Sequence, residues 1–525
     1  MNKIIIALLF FPVFSCGGDR EDQQFDRPNV LLIMLDDLND YPRYLGGHPQ
    51  AVSPNIDALA KEGIVFTNAH SNAPVCAPSR SSMLTGIYPH VSQNYGFKKW
   101  FKNPVLSNCK SLAAYLGENG YQTYGTGKLM HHKRKSEWTQ YGTNGYYGPV
   151  AYDGVKGAAH PSVPEEYSSI GLLDGTFASL ADVPAVAPSE DTPGYTGWYN
   201  TAANKPFRYV NDDDRDLMED EISAHWAVSK LKELEQSGTD DPFLLAVGFI
   251  RPHTPLVAPQ KYFDMFPLED LQLPLILEDD AEDCFYRTVF SSNSKGIRAY
   301  EAIKAAYPTF EEGLKEYVQA YLASVAFADE QVGKVLTALR NSKFDNNTLV
   351  ILTSDHGYNH GEKDFLFKNS LWEESTRTPL IIRAPGIGDN AGKEVDHPVS
   401  LIDIYPTIND YCGVRGSNMV NDSGAVLSGF SMKPFIDNPE SGTWDGPDVA
   451  LTVVGSGSGN LSPDAQNYSI RSKDLRYIRY RNGKEELYDH VNDPQEWKNL
   501  EADPAYSNVK AEMKRKLSEL VGIEY

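Results

Sequence analysis

Residues 29–35, NVLLIML, form a continuous run of apolar side chains. Such a run is typical of a strand that is buried on both faces of a parallel sheet. Residues 348–353, TLVILT, and residues 243–250, FLLAVGFI, have the same character. Strands that alternate with helical patterns indicate an α/β layer architecture. Those helical patterns lie at residues 56–62, 111–119, 219–235 and 314–340.

Polar side chains follow two of these strands directly. Asp36 and Asp37 come after the first run, and Asp355 and His356 come after TLVILT and one serine. Ligands of open α/β sheets bind beyond the carboxyl ends of the strands, so these residues are expected to meet. One aspartate after a strand often only caps the next helix, but two pairs favour a metal site. Oxygen ligands with a single imidazole suit Ca²⁺ or Mg²⁺ better than zinc.

Cys76 is the second candidate for chemistry. It begins the segment Cys-Ala-Pro-Ser-Arg, which is compatible with the start of a helix that has Pro78 in its first turn. A cysteine at this point faces free backbone N–H groups and the positive end of the helix dipole, a position that binds anions. Arg80 follows one turn later. A lone cysteine is more often a small buried apolar residue, so both interpretations stay open at this point.

The charge balance limits the possible partners. The formal net charge of −23 argues against nucleic acid or anionic lipid as a general partner, because their phosphates would be repelled. An anionic substrate must therefore be met by a local patch of opposite sign. Two segments are candidates for such a patch, although a solvated loop would have the same composition. They are Lys98, Lys99 and Lys102, and residues 131–135, HHKRK.

The first sixteen residues have the features of an export signal. Lys3 supplies the positive start, and residues 4–14 form an apolar stretch too short to span a bilayer. The sequence that ends at Cys16 resembles a bacterial lipobox, in which the cysteine carries a lipid. We therefore expect a signal peptide at 1–16 and a tether at 17–26, in an exported lipoprotein of the periplasm, outer membrane or cell surface. The lipid on Cys16 would be the only membrane contact; an ordinary cleaved signal is the alternative.

The length of 525 residues predicts more than one hydrophobic core. After about residue 436 the composition changes to Gly- and Ser-rich turns and short strand-like segments, and Asn482-Gly483 is a hairpin signal. We predict a catalytic domain at 27–436 and a smaller α+β subdomain at 437–525. The subdomain would contain an antiparallel sheet and a final helix near residues 509–520.

The segment that starts at Cys76 resembles the Cys-x-Pro-x-Arg signature of type I sulfatases, in which a maturation enzyme oxidises the cysteine to formylglycine. The resemblance is closest to the iduronate-2-sulfatase-like branch and to bacterial polysaccharide sulfatases. It implies an alkaline-phosphatase-like mixed sheet sandwiched by helices. Blocks similar to the family follow in order along the chain. They include SPNIDALAKEGIVFTNAH, YGTGKLMHH, RPHTPLVAP, ILTSDHG and FKNSLWEESTRTPLIIRAPG.

The same resemblance implies a role for each site residue. One Ca²⁺ would be bound by Asp36, Asp37, Asp355, His356 and the modified Cys76. Arg80 would act with the metal on the hydrated aldehyde that attacks sulfur. Lys128 and Lys368 would hold the sulfate oxygens. His253 would protonate the departing sugar oxygen, and His131 would take the proton that lets sulfate leave, with His132 as the alternative.

The implied activity is hydrolysis of sulfate esters on a polysaccharide such as ulvan, carrageenan or a glycosaminoglycan. Two alternatives are a phosphoester or phosphonate hydrolase of the same superfold and a catalytically inactive glycan-binding lipoprotein. The insertion at residues 138–211 is expected to line the rim of the site. Its aromatic residues would either stack on sugars or pack the loop against the body. They are Tyr146, Tyr147, Tyr152 and Trp198.

Overall fold

The computed structural model describes residues 27–292 and 294–525. The predicted signal peptide at 1–16, the tether at 17–26 and the lipid site at Cys16 lie outside the described residues. Among the helices of the described part, none is long and apolar enough to cross a membrane.

The fold is built on a mixed sheet of eight strands. In chain order they are β1 (Asn29–Asp36), β2 (Ile64–Phe66), β3 (Gln122–Gly127), β4 (Gln140–Tyr141), β5 (Phe243–Pro252), β6 (Thr348–Ser354), β7 (Leu380–Arg383) and β8 (Glu394–Val395). Across the sheet the order is β8-β2-β7-β6-β1-β5-β3-β4. β1 pairs in parallel with both β5 and β6, whereas β7 is antiparallel to β6 and β2.

Helices cover both faces of this sheet. They are α1 (Pro54–Glu62), α2 (Cys76–Thr85), α3 (Leu112–Glu118), α4 (Glu219–Ser237), α5 (Lys295–Ala306), α6 (Phe310–Arg340) and α7 (Ile404–Tyr411). The last helix, α8 (Ser507–Val521), lies in the C-terminal part of the chain. In β1, Leu31 and Ile33 pack toward α1, α4 and α6, and Val30 and Leu32 pack toward α2, α3 and α7. The apolar run of β1 is therefore buried on both faces, as predicted, and the α/β fold class is confirmed.

The register of the central strands places the two polar pairs side by side. Leu35 of β1 lies opposite Ser354 of β6, so both strands end at the same edge. Asp36 is the last residue of β1, and Asp37 follows with a left-handed backbone, φ 64°. The backbone N–H of Asp37 donates to Oδ1 of Asp355 at 3.2 Å. The carboxylates that 318 positions separate in sequence thus share one pocket.

A second, smaller sheet lies near the C-terminus. Its four antiparallel strands are β9 (Ala450–Val454), β10 (Asn467–Arg471), β11 (Leu475–Arg479) and β12 (Glu485–Asp489). The antiparallel sheet and the final helix α8 were both predicted, but β9 was missed in the sequence. One face of the sheet packs on α8 and the other on Trp372 and Tyr286 of the larger part. The boundary at 436/437 stays a prediction.

The insertion at 138–211 forms short strand pairs, and its aromatic residues differ in position. Trp198 is only 1% exposed and belongs to the hydrophobic core of the body, so it packs the insertion against it; within the insertion its ring stacks on that of His160. Tyr152 stacks on Tyr199 with ring centroids 4.0 Å apart. Tyr147 instead contacts the ring of His253, with centroids 4.6 Å apart.

Candidate active site

Cys76 is the first residue of α2, and its thiol faces the carboxyl edge of the sheet. Sγ lies 3.3 Å from Nζ of Lys368 and 3.9 Å from Oδ1 of Asp37. The residue is 2% exposed. Burial and the carboxylate of Asp36 raise the pKa of the thiol to about 12, so an unmodified Cys76 is a weak nucleophile at neutral pH.

Arg80 ties three segments together from the next turn of α2. It is fully buried, and its guanidinium binds Oδ1 of Asp36 at 3.0 Å and Oδ2 of Asp355 at 2.7 Å. It also donates to the carbonyl oxygens of Lys128 and Leu129. Removing a buried charge of this kind leaves its partners uncompensated. Arg80 therefore fixes the positions of the two strand ends and of the segment after β3.

Two lysines enter the pocket from opposite sides. Lys128 follows β3 and its Nζ binds Oδ2 of Asp36. Gly248 allows this segment to lie against β5, because a Cβ there would collide with the Lys128 carbonyl oxygen. Lys368 follows the short strand Leu366–Phe367, and its Nζ lies 2.6 Å from both oxygens of Asp37. Each lysine is only 3% exposed.

The two neighbouring aspartates have opposite pKa shifts. Burial would raise the pKa of Asp36, but the cations of Lys128 and Arg80 hold it well below its usual range. The pKa of Asp37 is raised to about 7, chiefly by burial; Lys368 lowers it, and the nearby Asp36 and Asp355 raise it further. Of the two carboxylates, that of Asp37, beside the thiol, is therefore the less compensated by the cations of the protein.

The donor atoms around His356 fit a metal ion. Nδ1 donates to the carbonyl oxygen of Gly357 at 3.0 Å, so Nε2 carries the lone pair. Burial lowers the pKa of His356 to about 4, which keeps the ring neutral at pH 7. Nε2 has no hydrogen-bond partner among the described residues, yet it lies 3.5 Å from Asp37 Oδ1 and 3.6 Å from Asp355 Oδ2. A lone pair between two carboxylate oxygens repels them unless a cation lies there.

Two overlapping groups of side chains have the spacing of a metal site. In each group the candidate ligand atoms all lie within 4.8 Å of one another. The groups are Asp36, Asp37, Cys76 and His253, and Asp36, Cys76, Asp355 and His356. The structure thus brings together all five predicted ligands and adds His253.

His253 follows β5 and projects into the pocket. Its Nδ1 donates to the carbonyl oxygen of Thr254 at 2.5 Å, which turns Nε2 toward Oδ2 of Asp37 at 3.9 Å. The hydroxyl of Thr254 is held in turn by Asp174 at 2.5 Å, a residue that the sequence analysis missed. Burial and the cation of Lys368 lower the pKa of His253 well below its usual value. The ring is thus oriented toward the centre of the site.

Charges of the active site shift the pKa of His131, whereas Lys99 is the charge that shifts the pKa of His132. The pKa of His131 is lowered to about 3 by burial and by Lys128, with smaller influences from Asp36 and Arg80. The pKa of His132 is lowered by burial and by Lys99, which lies outside the pocket. His131 is at the edge of the site, and its Nδ1 lacks a hydrogen-bond partner in the part of the chain that the structure describes.

Further residues support the site from behind. The hydroxyls of Ser71 and Ser79 both donate to the carbonyl oxygen of Asp355, at 2.7 and 2.5 Å. Arg377 pairs with Asp40 at 2.9 Å. The serines carried no signal in the sequence, because a serine beside a helix start is common and its partner lies 276 or more positions away.

Several known proteins are similar to this chain in sequence. Residues 28–414 match the Sulfatase family, and residues 361–522 match the family described as N-sulphoglucosamine sulphohydrolase, C-terminal. A sulfatase of Formosa agariphila is 31% identical, over 95% of this chain and 88% of the relative. An ulvan-active sulfatase of the same bacterium is 27% identical, over 98% and 86%. Iduronate 2-sulfatase of Homo sapiens is 30% identical, over 69% and 60%.

Solved structures support the fold. A 2-O GAG sulfatase superposes with a TM-score of 0.65 at 22% identity, and the match covers 95% of this chain and 92% of the other. The phosphonate monoester hydrolase of Agrobacterium radiobacter gives 0.67 at 24% identity, over 94% and 96%. At these identities the structural similarity is evidence for the fold alone. The family is shown by the match of residues 28–414, which cover most of the chain. The chain therefore belongs to the Sulfatase family and is a sulfuric ester hydrolase.

Proposed function

We propose that the protein removes sulfate from a sulfated polysaccharide, with residue 76 as formylglycine and one bound Ca²⁺. The observation that carries the proposal is the position of Cys76, at a helix start and beside both Asp37 and Lys368. A tetrahedral anion needs this combination of cations and free N–H groups around the reacting atom. The relatives named for ulvan and for glycosaminoglycans support a sulfated polysaccharide as substrate.

The residues of the pocket suit a hydrated aldehyde at position 76. Such a group supplies a hydroxyl that attacks sulfur and a second hydroxyl that later releases sulfate. Arg80, buried beside Asp36 and Asp355, adds positive charge next to that position. Pro78 and Arg80 are buried together with Cys76. A maturation enzyme that reads these three residues must therefore act before the segment folds.

Asp36, Asp37, Asp355, His356 and residue 76 would hold the Ca²⁺. The bound ion would supply positive charge that acidifies the attacking hydroxyl and offsets charge on the sulfate. Carboxylate oxygens predominate in this set, which suits a hard cation. The neutral ring of His356, with Nε2 free, completes the set.

The remaining residues act on the ester itself. Lys128, beside Asp36, and Lys368, beside Cys76, would bind the sulfate oxygens and stabilise the charge that develops on them. His253, whose Nδ1 is held by the carbonyl oxygen of Thr254, would act as an imidazolium: with the anionic ester bound, Nε2 would carry the proton that passes to the leaving sugar oxygen. His131, at the edge, would accept the proton that accompanies release of sulfate.

Replacing Cys76 tests the nucleophile. In the Cys76→Ala and Cys76→Ser variants the fold should persist and turnover of sulfate esters should disappear. Mass spectrometry of the wild-type peptide that contains residue 76 should show an aldehyde in place of the thiol. Undiminished activity in either variant, or a thiol in the fully active enzyme, would contradict the proposal. If the wild type and both variants are all without activity, the result would favour a catalytically inactive glycan-binding protein.

A phosphoester or phosphonate hydrolase is the second candidate. His253 lies within one of the two ligand groups, and a second imidazole is typical of sites for transition metals. Paired sulfate and phosphate esters of one alcohol, with a phosphonate monoester, separate the two functions in a single preparation. We expect the sulfate ester to give the highest kcat/KM with Ca²⁺. A preference for phosphorus esters with Mn²⁺ or Zn²⁺ would reverse the assignment.

Export and lipid anchoring rest on residues 1–17 alone. We expect the wild-type protein in the membrane fraction of a bacterial host and the Cys16→Ala variant outside it. Equal distribution of the two proteins would contradict lipidation of Cys16.

A further inference from the structure

A basic rim lies beside the active site, formed by two segments that are distant in the sequence. The term covers Phe97, Lys98, Lys99, Lys102, His132 and Lys133. Trp100, 2% exposed, anchors the first segment, and its indole N–H donates to the carbonyl oxygen of His132 at 2.9 Å. The ring of Phe97 meets the ring of His131 edge-on, with centroids 5.0 Å apart.

The rim is continuous with the sulfate pocket. The charges of Lys128 and Asp36 act on the pKa of His131, and the ring of His131 also contacts the ring of Phe97. Only three positions separate Lys128 from His131. A substrate whose sulfate lies on Lys128 therefore has the rim next to it.

The cations of the rim are not neutralised by the protein. In residues 27–292 and 294–525, no ion pair involves Lys98, Lys99, Lys102 or Lys133. Other exposed lysines do form ion pairs, such as Lys261 with Glu330 at 3.0 Å and Lys473 with Asp396 at 2.5 Å. On a protein with a net charge of −23, unpaired lysines concentrated at one entrance create a local positive field.

The rim also presents an apolar surface. Phe97 is 58% exposed, although the indole of Trp100 three positions later is buried. The face of an aromatic ring packs against the C–H groups of a sugar, and ammonium groups beside it bind sulfate oxygens through charge-assisted hydrogen bonds. An inorganic anion would need only the lysines. The combination fits a sulfated sugar.

We propose that the basic rim binds a second sulfated sugar unit of the substrate chain, next to the unit whose ester is cleaved. Lys98 and Lys99 contact its sulfate, and Phe97 contacts its ring. The inference rests on the proposed sulfatase activity toward polysaccharide and extends it, because it makes a chain of at least two charged units the preferred substrate.

The test compares a long and a short substrate. The long one is the best substrate among sulfated oligosaccharides from ulvan, carrageenan and heparan sulfate, and the short one is 4-nitrophenyl sulfate. For the Lys98→Ala/Lys99→Ala double variant we expect kcat/KM to fall about tenfold on the oligosaccharide, mainly through KM, and to stay unchanged on the aryl sulfate. The salt dependence of KM for the oligosaccharide should weaken in the same variant. Phe97→Ala should reduce kcat/KM on the oligosaccharide without changing its salt dependence.

The matched control is Lys61→Ala/Lys232→Ala, which removes two exposed lysines from α1 and α4. It makes the same change in net charge and should leave kcat/KM unchanged on both substrates. An equal loss on the two substrates, or a loss as large in the control, would overturn the proposal. Binding of the oligosaccharide to the Cys76→Ala protein provides a readout without turnover. If the wild type cleaves no sulfate ester, the proposed function is wrong. If the rim variants bind the oligosaccharide as tightly as the protein with an intact rim, the proposed role of the basic rim is wrong.

Discussion

Two buried clusters of charge in this molecule differ in how completely the protein neutralises them. The active-site cluster comprises Asp36, Asp37, Asp355, His356, Arg80, Lys128 and Lys368. The interface cluster comprises Glu373, Arg471, Arg476, His490 and Glu496, where the C-terminal sheet meets the larger part. Both contain a group of side chains with the spacing of a metal site. Spacing alone therefore does not distinguish them.

The charges of the interface cluster are neutralised by ion pairs and hydrogen bonds within the cluster. Nε of Arg476 donates to Oε1 of Glu496 at 2.5 Å, and the backbone N–H of Glu373 donates to the other oxygen at 3.0 Å. Burial would raise the pKa of Glu496, but Arg476 and His490 lower it to about 2. In the active site the pKa of Asp37 is instead raised to about 7. A carboxylate that the protein leaves partly uncompensated marks a site for an outside cation, whereas a fully paired one holds elements together.

The largest effect is expected from a substitution beside the active-site cluster, which should impair catalysis and change the stability of the protein little. His253→Ala should lower kcat for a sugar sulfate by about 10³–10⁴, because the leaving oxygen then departs without a proton. A 4-nitrophenyl sulfate needs little protonation, so its kcat should fall far less. Steady-state kinetics on both substrates measure the ratio, and the melting temperature should stay close to that of the wild type. Equal losses on the two substrates would exclude His253 as the acid.

The interface cluster should show the reverse behaviour. Arg476→Met leaves Glu496 buried without its main cation and removes one of the two arginines that pair with Glu373, so the free energy of unfolding should fall by about 3–5 kcal/mol. Chemical denaturation measures this loss, and kcat of the folded fraction should be unchanged. The exposed pair of Lys473 and Asp396 is the control, since Lys473→Met should cost less than about 1 kcal/mol. A loss of kcat at constant stability would make the interface cluster part of the site.

The sequence predicted the active-site cluster better than the interface cluster, for a physical reason. Asp36, Asp37, Asp355 and His356 follow two apolar runs, and adjacent parallel strands must bring such ends together. Glu373 and Arg476 lie 103 positions apart, and no local pattern around either residue indicates that they pair. The pairing depends on how the C-terminal sheet packs on the larger part.

Within the fold, the long apolar strands and helices were predicted to within a few residues of their ends. The short strand β9 was missed because its partner β10 is separated from it by a Gly- and Ser-rich loop, and register across such a loop is a tertiary property. Trp198 shows the same limit, since its burial depends on contacts of a long insertion. The different surroundings of His131 and His132 also became visible only in the structure.

A third prediction separates the two adjacent histidines of the active-site edge. His131→Ala should reduce turnover of sulfate esters by about 10², because the proton acceptor for sulfate release is lost. His132→Ala is the matched control, and it should leave kcat for an aryl sulfate unchanged since His132 faces Lys99. The pre-steady-state burst should grow in His131→Ala if release of sulfate becomes limiting. The opposite ranking of the two variants would transfer the role to His132.

The smallest effect concerns cation binding, and it compares the two clusters directly. Ca²⁺ at 100 times its Kd should stabilise the protein by about 2.7 kcal/mol, because only the folded site binds it. Thermal unfolding with Ca²⁺ and with a chelator measures the shift. Asp355→Asn should abolish the shift, since it removes a ligand oxygen beside His356. Glu496→Gln should lower the melting temperature but keep the full shift, because the interface cluster has no need of an added cation. If Glu496→Gln loses the shift and Asp355→Asn keeps it, the cation binds at the interface, and the distinction drawn from the pKa of the two carboxylates is wrong.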